Sequence, residues 1–219
     1  MSSRVAPLLW VPATALTLLS VACHSPQQMA TQAASGNPQA QYDYACFLLK
    51  NKRCTPAQQK EAILLLIEST EGGSQQAPAT LGMCYSVGLG TPPNLRQARI
   101  FLQIASDRNH PRAQLLLAHM YAQGSGAPYN PAKAAEEIRY AAMQGSPLAA
   151  VLMFFCFYDG FGVVQNTDLA LGWLQNAADF GSDEAKELLK LVKNEEKSQI
   201  FQQEVDLLRK KLDFFPQKS

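Results

Sequence analysis

Cysteine, histidine and carboxylate side chains are the residues of this sequence that could do chemistry, but their spacing matches no catalytic motif. The three histidines are His24, His110 and His119, which is little material for a metal or proton-transfer centre. No His–Cys, Ser–His–Asp or H-E-x-x-H spacing occurs. Adjacent carboxylates such as Glu136 and Glu137 point to different faces of a helix, so they do not form an acid–base pair. We therefore predict no catalytic site, metal, cofactor or small-molecule substrate.

Length and charge restrict the class of protein further. The chain has 219 residues, with 19 Lys+Arg against 18 Asp+Glu. This length suits one domain or a short repeat array. A nucleic-acid-binding protein would normally carry an excess of basic residues. A single long apolar run excludes a multispanning membrane protein. The remaining candidates are an exported globular domain or a repeat protein.

The first 22 residues are typical of a signal peptide. A short start with Arg4 precedes an apolar run over 5–19, and small residues at Ser20 and Ala22 suit a cleavage site. Ordinary secretion and an uncleaved anchor remain alternatives, although Pro7 and Pro12 weaken the run as a spanning helix.

Cys23 follows these small residues directly, and the junction resembles the lipobox of bacterial lipoproteins. The resemblance implies that the Cys23 thiol is joined to a diacylglycerol and becomes the new N-terminus. His24, rather than Asp, follows the cysteine, which by the same resemblance favours the outer membrane. Residues 23–39 are uncharged and poor in bulky apolar side chains, and we expect them to form a flexible tether about 20–25 Å long.

A period of 36 residues runs through the middle of the chain. Small and apolar positions recur at this offset, among them Ala77, Ala113, Ala149 and Ala185, Tyr85, Tyr121 and Phe157, and the Gly-x-Gly pairs at 88–90, 124–126 and 160–162. So many coincident positions at one offset are not expected by chance.

Each repeat predicts two helices. First helices are expected over 75–87, 111–123 and 147–159, and each is ended by the first glycine of a Gly-x-Gly pair. Asparagines in one phase, Asn94, Asn130 and Asn166, are the expected N-caps of the second helices. Second helices are expected to end near Asn109, Gly145 and Gly181.

The pattern A-x-x-x-L-G/A-x-x-Y-x-x-G-x-G, followed by A-x-x-W/F and paired alanines, resembles the Sel1-like repeat family, relatives of tetratricopeptide repeats. The resemblance implies an all-α fold, a right-handed α/α solenoid of about four two-helix repeats. The repeats span 40–181, as a degenerate unit 40–73 and three firm units, 74–109, 110–145 and 146–181. Residues 182–219 are expected to form a C-terminal capping helical segment; a docking helix for a partner is the alternative.

Cys46 and Cys54 lie eight residues apart in the degenerate unit. Similar pairs staple adjacent helices in the cysteine-rich branch of this family, so the resemblance implies a disulfide, which would contribute on the order of 2–3 kcal/mol. Two free thiols are the alternative. Cys84 and Cys156 share a repeat phase with Met120 and are predicted to be core residues too far apart to bridge.

The resemblance also implies a binding surface, because the first helix of each unit lines the concave side of such solenoids. We call the side chains in this phase the concave-face residues. They are Phe47, Met83, Val87, Arg112, Leu115, His119, Gln123, Val151, Phe155, Tyr158 and Asp159. The aromatic run 154–158 exceeds what one unit can bury, so one or two of its rings should face the groove, or else pack on the next repeat or the C-terminal helix.

The sequence thus predicts a non-catalytic protein–protein interaction scaffold. Its location would be the periplasmic side of a bacterial outer membrane, held there by a lipid anchor, and its partner would be a protein rather than a nucleic acid. An immunity protein that neutralises a secreted toxic effector, such as a lipase, is the alternative. An enzyme acting on peptidoglycan would need an acid–base pair that the sequence does not offer.

Overall fold

Helices account for all the regular structure of the protein in the part of the chain that the structure describes. The structure is a computed structural model and describes residues 25–51, 53–192 and 198–216. The predicted signal peptide, 1–22, and the predicted lipidation site, Cys23, lie outside the described residues. Within the described residues there are eleven helices and no strand. None of these helices is both long and apolar enough to cross a membrane.

The helices follow one another with short connections. Their bounds are α1 Pro26–Ala34, α2 Pro38–Lys50, α3 Pro56–Glu71, α4 Ala77–Val87, α5 Leu95–Asp107, α6 Pro111–Gln123, α7 Pro131–Met143, α8 Pro147–Asp159, α9 Thr167–Asp179, α10 Asp183–Val192 and α11 Ser198–Leu212. The predicted first helices of the three firm units correspond to α4, α6 and α8.

Four helical hairpins stack in chain order to form an α/α solenoid. The hairpins are α2–α3, α4–α5, α6–α7 and α8–α9, and the second helix of each contacts the first helix of the next. Three apolar clusters follow one another along the stack, and Tyr85 packs against both the first and the second. The core is therefore continuous, and each unit packs on its immediate neighbours in the stack.

Capping residues set the helix ends at the predicted positions. Asn94, Asn130 and Asn166 each accept a hydrogen bond from a backbone N–H in the first turn of α5, α7 and α9. Gly88, Gly124 and Gly160 end α4, α6 and α8 in the left-handed conformation. These caps satisfy backbone groups that the helix leaves unpaired, which explains why the period is visible in the sequence.

The second glycine of each Gly-x-Gly pair brings one repeat against the preceding one. At Gly162, with φ +70°, an added Cβ would overlap the carbonyl oxygen of Pro131, the first residue of α7. Gly126 approaches Leu95 in the same way, and Gly90 approaches Gln59. The contacted residues also recur every 36 positions. This close approach therefore determines how each repeat packs on the preceding one.

The expected flexible tether over 23–39 is wrong for the residues from 26 onward. Residues 26–34 form α1, which begins at a capping box of Ser25 and Gln28 and packs against α2. A helix this short is marginal alone, so its contact with α2 stabilises it. Gly36, at φ +80°, repeats the turn found at Gly145, at φ +82°. The helix therefore takes the place of the second helix of an incomplete preceding unit.

Beyond the fourth hairpin, the chain continues into α10 and then α11. Ser182 accepts a hydrogen bond from the Ala185 N–H at the start of α10, and α10 packs on α9. We call residues 198–216, which comprise α11 and the four residues after it, the C-terminal segment. Val205 and Leu208 of this segment are buried in the same apolar cluster as the aromatic residues of α8. The segment therefore folds back onto the repeats.

Candidate functional site

The concave-face residues of the first units lie at the surface. Phe47 is half-buried and stacks on Tyr44 with ring centroids 6.4 Å apart. Met83 is half-buried, Val87 is 72% exposed, and Arg112 is exposed at the start of α6. This part of the predicted surface is thus open, with apolar side chains on α4 and a cation on the next first helix.

The aromatic residues of α8 are covered by the protein itself. Val151 and Phe155 are 4% and 0% exposed, so the prediction that they lie open in a groove is corrected. Phe155 contacts Phe154 at 5.0 Å and Phe215 at 6.2 Å between ring centroids. The excess of aromatic side chains on α8 is therefore buried against the C-terminal segment, which is the second of the two sequence-based expectations.

A salt bridge fixes the C-terminal segment to the end of α8. The Arg209 guanidinium donates to both carboxylate oxygens of Asp159, at 2.8 and 3.1 Å. The guanidinium also lies 5.3 Å from the Phe155 ring centroid. The Asp159 side chain is only 14% exposed, so this two-bond pair is shielded from water and is stronger than a surface ion pair.

Three further contacts continue along the concave face. The Tyr158 hydroxyl donates to Gln202 Oε1 at 2.7 Å. On α6, Gln123 Nε2 donates to the Phe214 carbonyl at 3.1 Å, and the His119 ring meets the Phe214 ring edge-on at 5.4 Å. Leu115 is half-buried against the α8 cluster. The segment therefore spans the concave-face residues of two successive repeats.

Sequence reasoning missed the residues of the C-terminal segment that make these contacts. In the sequence, Arg209 stands in a basic run with Lys210 and Lys211, which is typical of a solvated helix end, and nothing in the repeat pattern assigns a role to Phe214 and Phe215. An available signal was the surplus of aromatic side chains on α8 together with an unassigned Phe-Phe pair near the C-terminus.

The predicted disulfide between Cys46 and Cys54 is absent, and both thiols are free. Cys46 hydrogen bonds with Tyr42, one turn earlier on α2, and lies close enough to Cys84 on α4 for the two thiols to interact electrostatically. Cys54 instead donates to the Thr55 carbonyl at 3.7 Å. The side chains thus turn toward different neighbours, and the eight-residue spacing does not encode this difference.

Cys84 and Cys156 are buried core residues. Burial raises the pKa of the Cys84 thiol to about 11 and that of Cys156 to about 12. Burial also raises the pKa of the half-buried Cys46 thiol. Since the thiolate is the reactive form, the two core cysteines are protonated at any physiological pH.

We expect iodoacetamide at pH 8 to modify Cys46 and Cys54 well before Cys84 and Cys156. With a pKa of about 11, roughly one Cys84 thiol in a thousand is ionised at pH 8, and burial also blocks access. Peptide mass spectrometry over a time course measures each site separately, and a sample in urea is the control in which all four should react. Labelling of Cys84 as fast as Cys54 in the folded protein would contradict the packing described.

One buried carboxyl joins two repeats at the second helices. Glu137 of α7 is 9% exposed and accepts a hydrogen bond from the Ser106 hydroxyl of α5 at 2.6 Å. Burial raises the pKa of Glu137, and the Ser106 hydrogen bond partly opposes this effect. The side chain borders a polar cavity of about 380 Å³. Glu137 occupies the position that Trp173 has in the next repeat, so we assign it a structural role.

The described residues contain no group of three or more His, Cys, Asp or Glu side chains able to hold a metal ion. The geometry instead presents a surface along the first helices, which is open from α2 to the start of α6 and is covered by the C-terminal segment over the rest of α6 and over α8.

Comparison with known proteins identifies the repeat. The family model described as Sel1 repeat matches four segments, 38–74, 80–110, 111–146 and 147–182. Proteins of this family are typically protein-interaction scaffolds. No curated protein sequence matches the chain significantly.

Several solved structures share the fold. A protective antigen of uropathogenic Escherichia coli strains is 27% identical, with a TM-score of 0.69, and the match covers 74% of this chain and 35% of the antigen. The chain therefore spans about a third of the length of that antigen. A Sel1 repeat protein from Oxalobacter formigenes is 23% identical, with a TM-score of 0.68 over 85% of this chain and 78% of the other. Cysteine-rich protein B of Helicobacter pylori is 20% identical, with a TM-score of 0.50 over 63% and 99%.

Proposed function

The chain belongs to the Sel1 repeat family, and from this premise we propose that it is a non-catalytic scaffold that binds a partner protein through its concave face. The observation that carries the proposal is the row of concave-face residues left open on α2, α4 and α6. Val87 is 72% exposed at the end of α4, where a large apolar side chain serves no purpose in the protein's own core.

The chemistry of this open face indicates the kind of partner. Phe47, Met83 and Val87 supply apolar area on two successive first helices, and Arg112 supplies a cation on the third. A protein segment with apolar side chains and a carboxylate would complement this arrangement, because aromatic, methionine and arginine side chains are the types enriched at interfaces.

The proposed location is the periplasmic side of a bacterial outer membrane. It rests on the signal-like residues 1–22 and on Cys23 in a lipobox-like setting. Each acyl methylene buried in the bilayer contributes about 0.8 kcal/mol, so several acyl chains would hold the protein there stably. The description of one relative as a protective antigen is in keeping with an exported protein. Intact-mass measurement of the membrane fraction tests this part, since an unmodified chain starting at residue 23 or later contradicts acylation.

Affinity capture from membrane extracts tests the binding surface. We expect Val87→Arg to reduce recovery of the partner by at least about tenfold relative to wild type, because a buried unpaired charge at an interface costs more than the roughly 1.4 kcal/mol that a tenfold loss represents. Val164→Arg is the matched control, since Val164 is also highly exposed, at 86%, but lies in the α8–α9 loop.

The outcomes separate the alternatives. Loss of the same protein with Val87→Arg but not with Val164→Arg supports the concave face as the binding site, and a captured protein that is a toxin would assign the scaffold an immunity role. Equal recovery with both variants contradicts binding through this face. Circular dichroism of both variants verifies that the helices remain intact.

A further inference from the structure

The C-terminal segment contacts the last two repeats in the manner of a bound peptide. Its contacts use side chains that project from the first helices, namely Tyr158 with Gln202, Asp159 with Arg209 and Phe155 with Phe215 on α8. On α6, Gln123 and His119 hold Phe214. Five predicted partner-binding residues are thus occupied by the protein's own chain.

Aromatic side chains of the last two repeats form a binding site for Phe214 and Phe215, and we call these side chains the receptor residues. The Phe215 ring lies 4.7 Å from that of Phe161 and 6.2 Å from that of Phe155, both edge-on. Phe214 meets His119 and also packs beside Phe215, at 5.2 Å. Rings of α6, α8 and the loop after α8 therefore surround an aromatic pair, and edge-on contacts of this kind are favourable and depend on orientation.

The segment is held by fewer buried side chains than the helices beneath it. Of residues 199–216, only Val205 and Leu208 are buried, whereas eight residues of α8 are. Leu207 and Ile200, which line a cleft between α10 and α11, are still 61% and 45% exposed. Elements with few buried apolar contacts open at lower free energy than the core of the same protein. We therefore expect local opening of the segment to cost less free energy than unfolding of the repeats.

We propose that the C-terminal segment is an internal competitor for the concave face, and that the external ligand it competes with is a protein segment presenting an arginine and, a few residues later, two aromatic side chains. This inference rests on the proposed function, because it assigns a ligand chemistry and a regulation to the same concave face.

The chemistry of the covered site selects this ligand. The Asp159 carboxylate is 14% exposed, so a ligand that covers it must supply a cation, and a guanidinium can satisfy both carboxylate oxygens at once. The Phe155 ring lies beside that guanidinium, where it favours a cation further. A carboxylate of the ligand next to Asp159 would place like charges together in a shielded position, so this part of the ligand is not acidic.

The competition sets the apparent affinity for the external ligand. A ligand that binds only when the segment is detached has an apparent affinity equal to its intrinsic affinity multiplied by the detached fraction. A segment that is detached about 1% of the time therefore weakens binding about 100-fold. Any event that loosens the segment, such as a partner that captures α11, would release this inhibition.

The test uses the full chain and a fluorescent synthetic peptide of residues 198–216 as the probe. The opened variant combines Arg209→Ala with Phe215→Ala, which removes two anchors of the segment but leaves the receptor residues intact. Lys210→Ala is the matched control, because Lys210 is an exposed neighbour of Arg209 on the same helix. A peptide carrying the same two alanines measures non-specific binding, and fluorescence anisotropy measures the affinity.

We expect the opened variant to bind the peptide at least tenfold more tightly than wild type and Lys210→Ala, and Asp159→Asn in the opened variant to remove this gain. Equal affinities for wild type and the opened variant, or no binding by either, would overturn the proposal. Binding that survives Asp159→Asn places the peptide elsewhere and also overturns it, as does a dimer of the opened variant in light scattering. Neither Val87 nor the captured partner takes part in the peptide experiment. The peptide experiment can therefore fail while the capture experiment succeeds, and the capture experiment can fail while the peptide experiment succeeds.

Discussion

Replacing Phe155 with alanine should lower the free energy of unfolding by about 3–5 kcal/mol, the usual cost of removing a buried Phe side chain. The ring is fully buried and contacts Phe154, Phe215 and the Arg209 guanidinium. Its loss leaves a cavity in the fourth repeat and also removes a contact of the C-terminal segment. Urea unfolding followed by circular dichroism measures the change.

Tyr158→Phe is the matched control for this prediction. It removes only the hydroxyl that donates to Gln202, so the expected loss is about 1 kcal/mol. If Phe155→Ala instead cost no more than Tyr158→Phe, the Phe155 ring would lie in solvent. In that case the groove over α8 would be open, and the burial of this ring by the C-terminal segment would be wrong.

Gly162→Ala should destabilise the protein by about 2–4 kcal/mol, since left-handed backbone strain and overpacking act together. The glycine has φ +70°, and an added Cβ would lie 2.5 Å from the Pro131 carbonyl carbon. The neighbour is backbone at the start of a helix, so it cannot move aside as a flexible side chain would. Thermal unfolding followed by circular dichroism measures the effect.

Two other glycines separate the contributions to this loss. Gly145 has φ +82° with nothing within 4 Å of an added Cβ, so Gly145→Ala should cost only the strain, about 1–2 kcal/mol. Gly172 lies within α9 with open space around it, and Gly172→Ala should stabilise by about 0.5–1 kcal/mol because alanine favours a helix. A loss at Gly162 no larger than at Gly145 would show that the loop does not press on α7.

The helices of the repeats are predictable because local residues determine both their ends. An asparagine such as Asn130 satisfies backbone N–H groups within its own first turn, and a glycine such as Gly124 satisfies the backbone at the other end. The Gly-x-Gly spacing also encodes the joint between repeats, as at Gly162 and Pro131. Fold and helix bounds therefore follow from contacts that are close in sequence or repeat with the period.

Weak local signals explain why α1 was not predicted. Residues 26–34 are mostly Gln and Ala, and Ala33 is the only residue of this helix that is buried. The helix is recognisable from its ends, at Ser25-Pro26 and at the turn Gly36-Asn37-Pro38, rather than from an apolar stripe. The turn lies one residue out of the 36-residue phase, so the signal to use was its likeness to the turn Gly145-Ser146-Pro147.

Tertiary contacts explain why the thiols and the covered part of the concave face could not be predicted. Cys46 hydrogen bonds with Tyr42 and lies within electrostatic range of Cys84, and a sequence spacing carries no such direction. Arg209 and Asp159 are 50 residues apart, and Arg209 belongs to a helix outside the repeat period. Predicting their pairing requires the path of the chain after α10, which the period does not determine.

Hydrogen–deuterium exchange of the full chain tests most directly the claim that the C-terminal segment lies on the concave face of the last two repeats. The account predicts that the amides of 198–212 are protected in wild type and that Asp159→Ala accelerates their exchange while those of α6–α7 stay protected. Exchange of 198–212 at the rate of an unprotected chain, or protection that Asp159→Ala leaves unchanged, would contradict it.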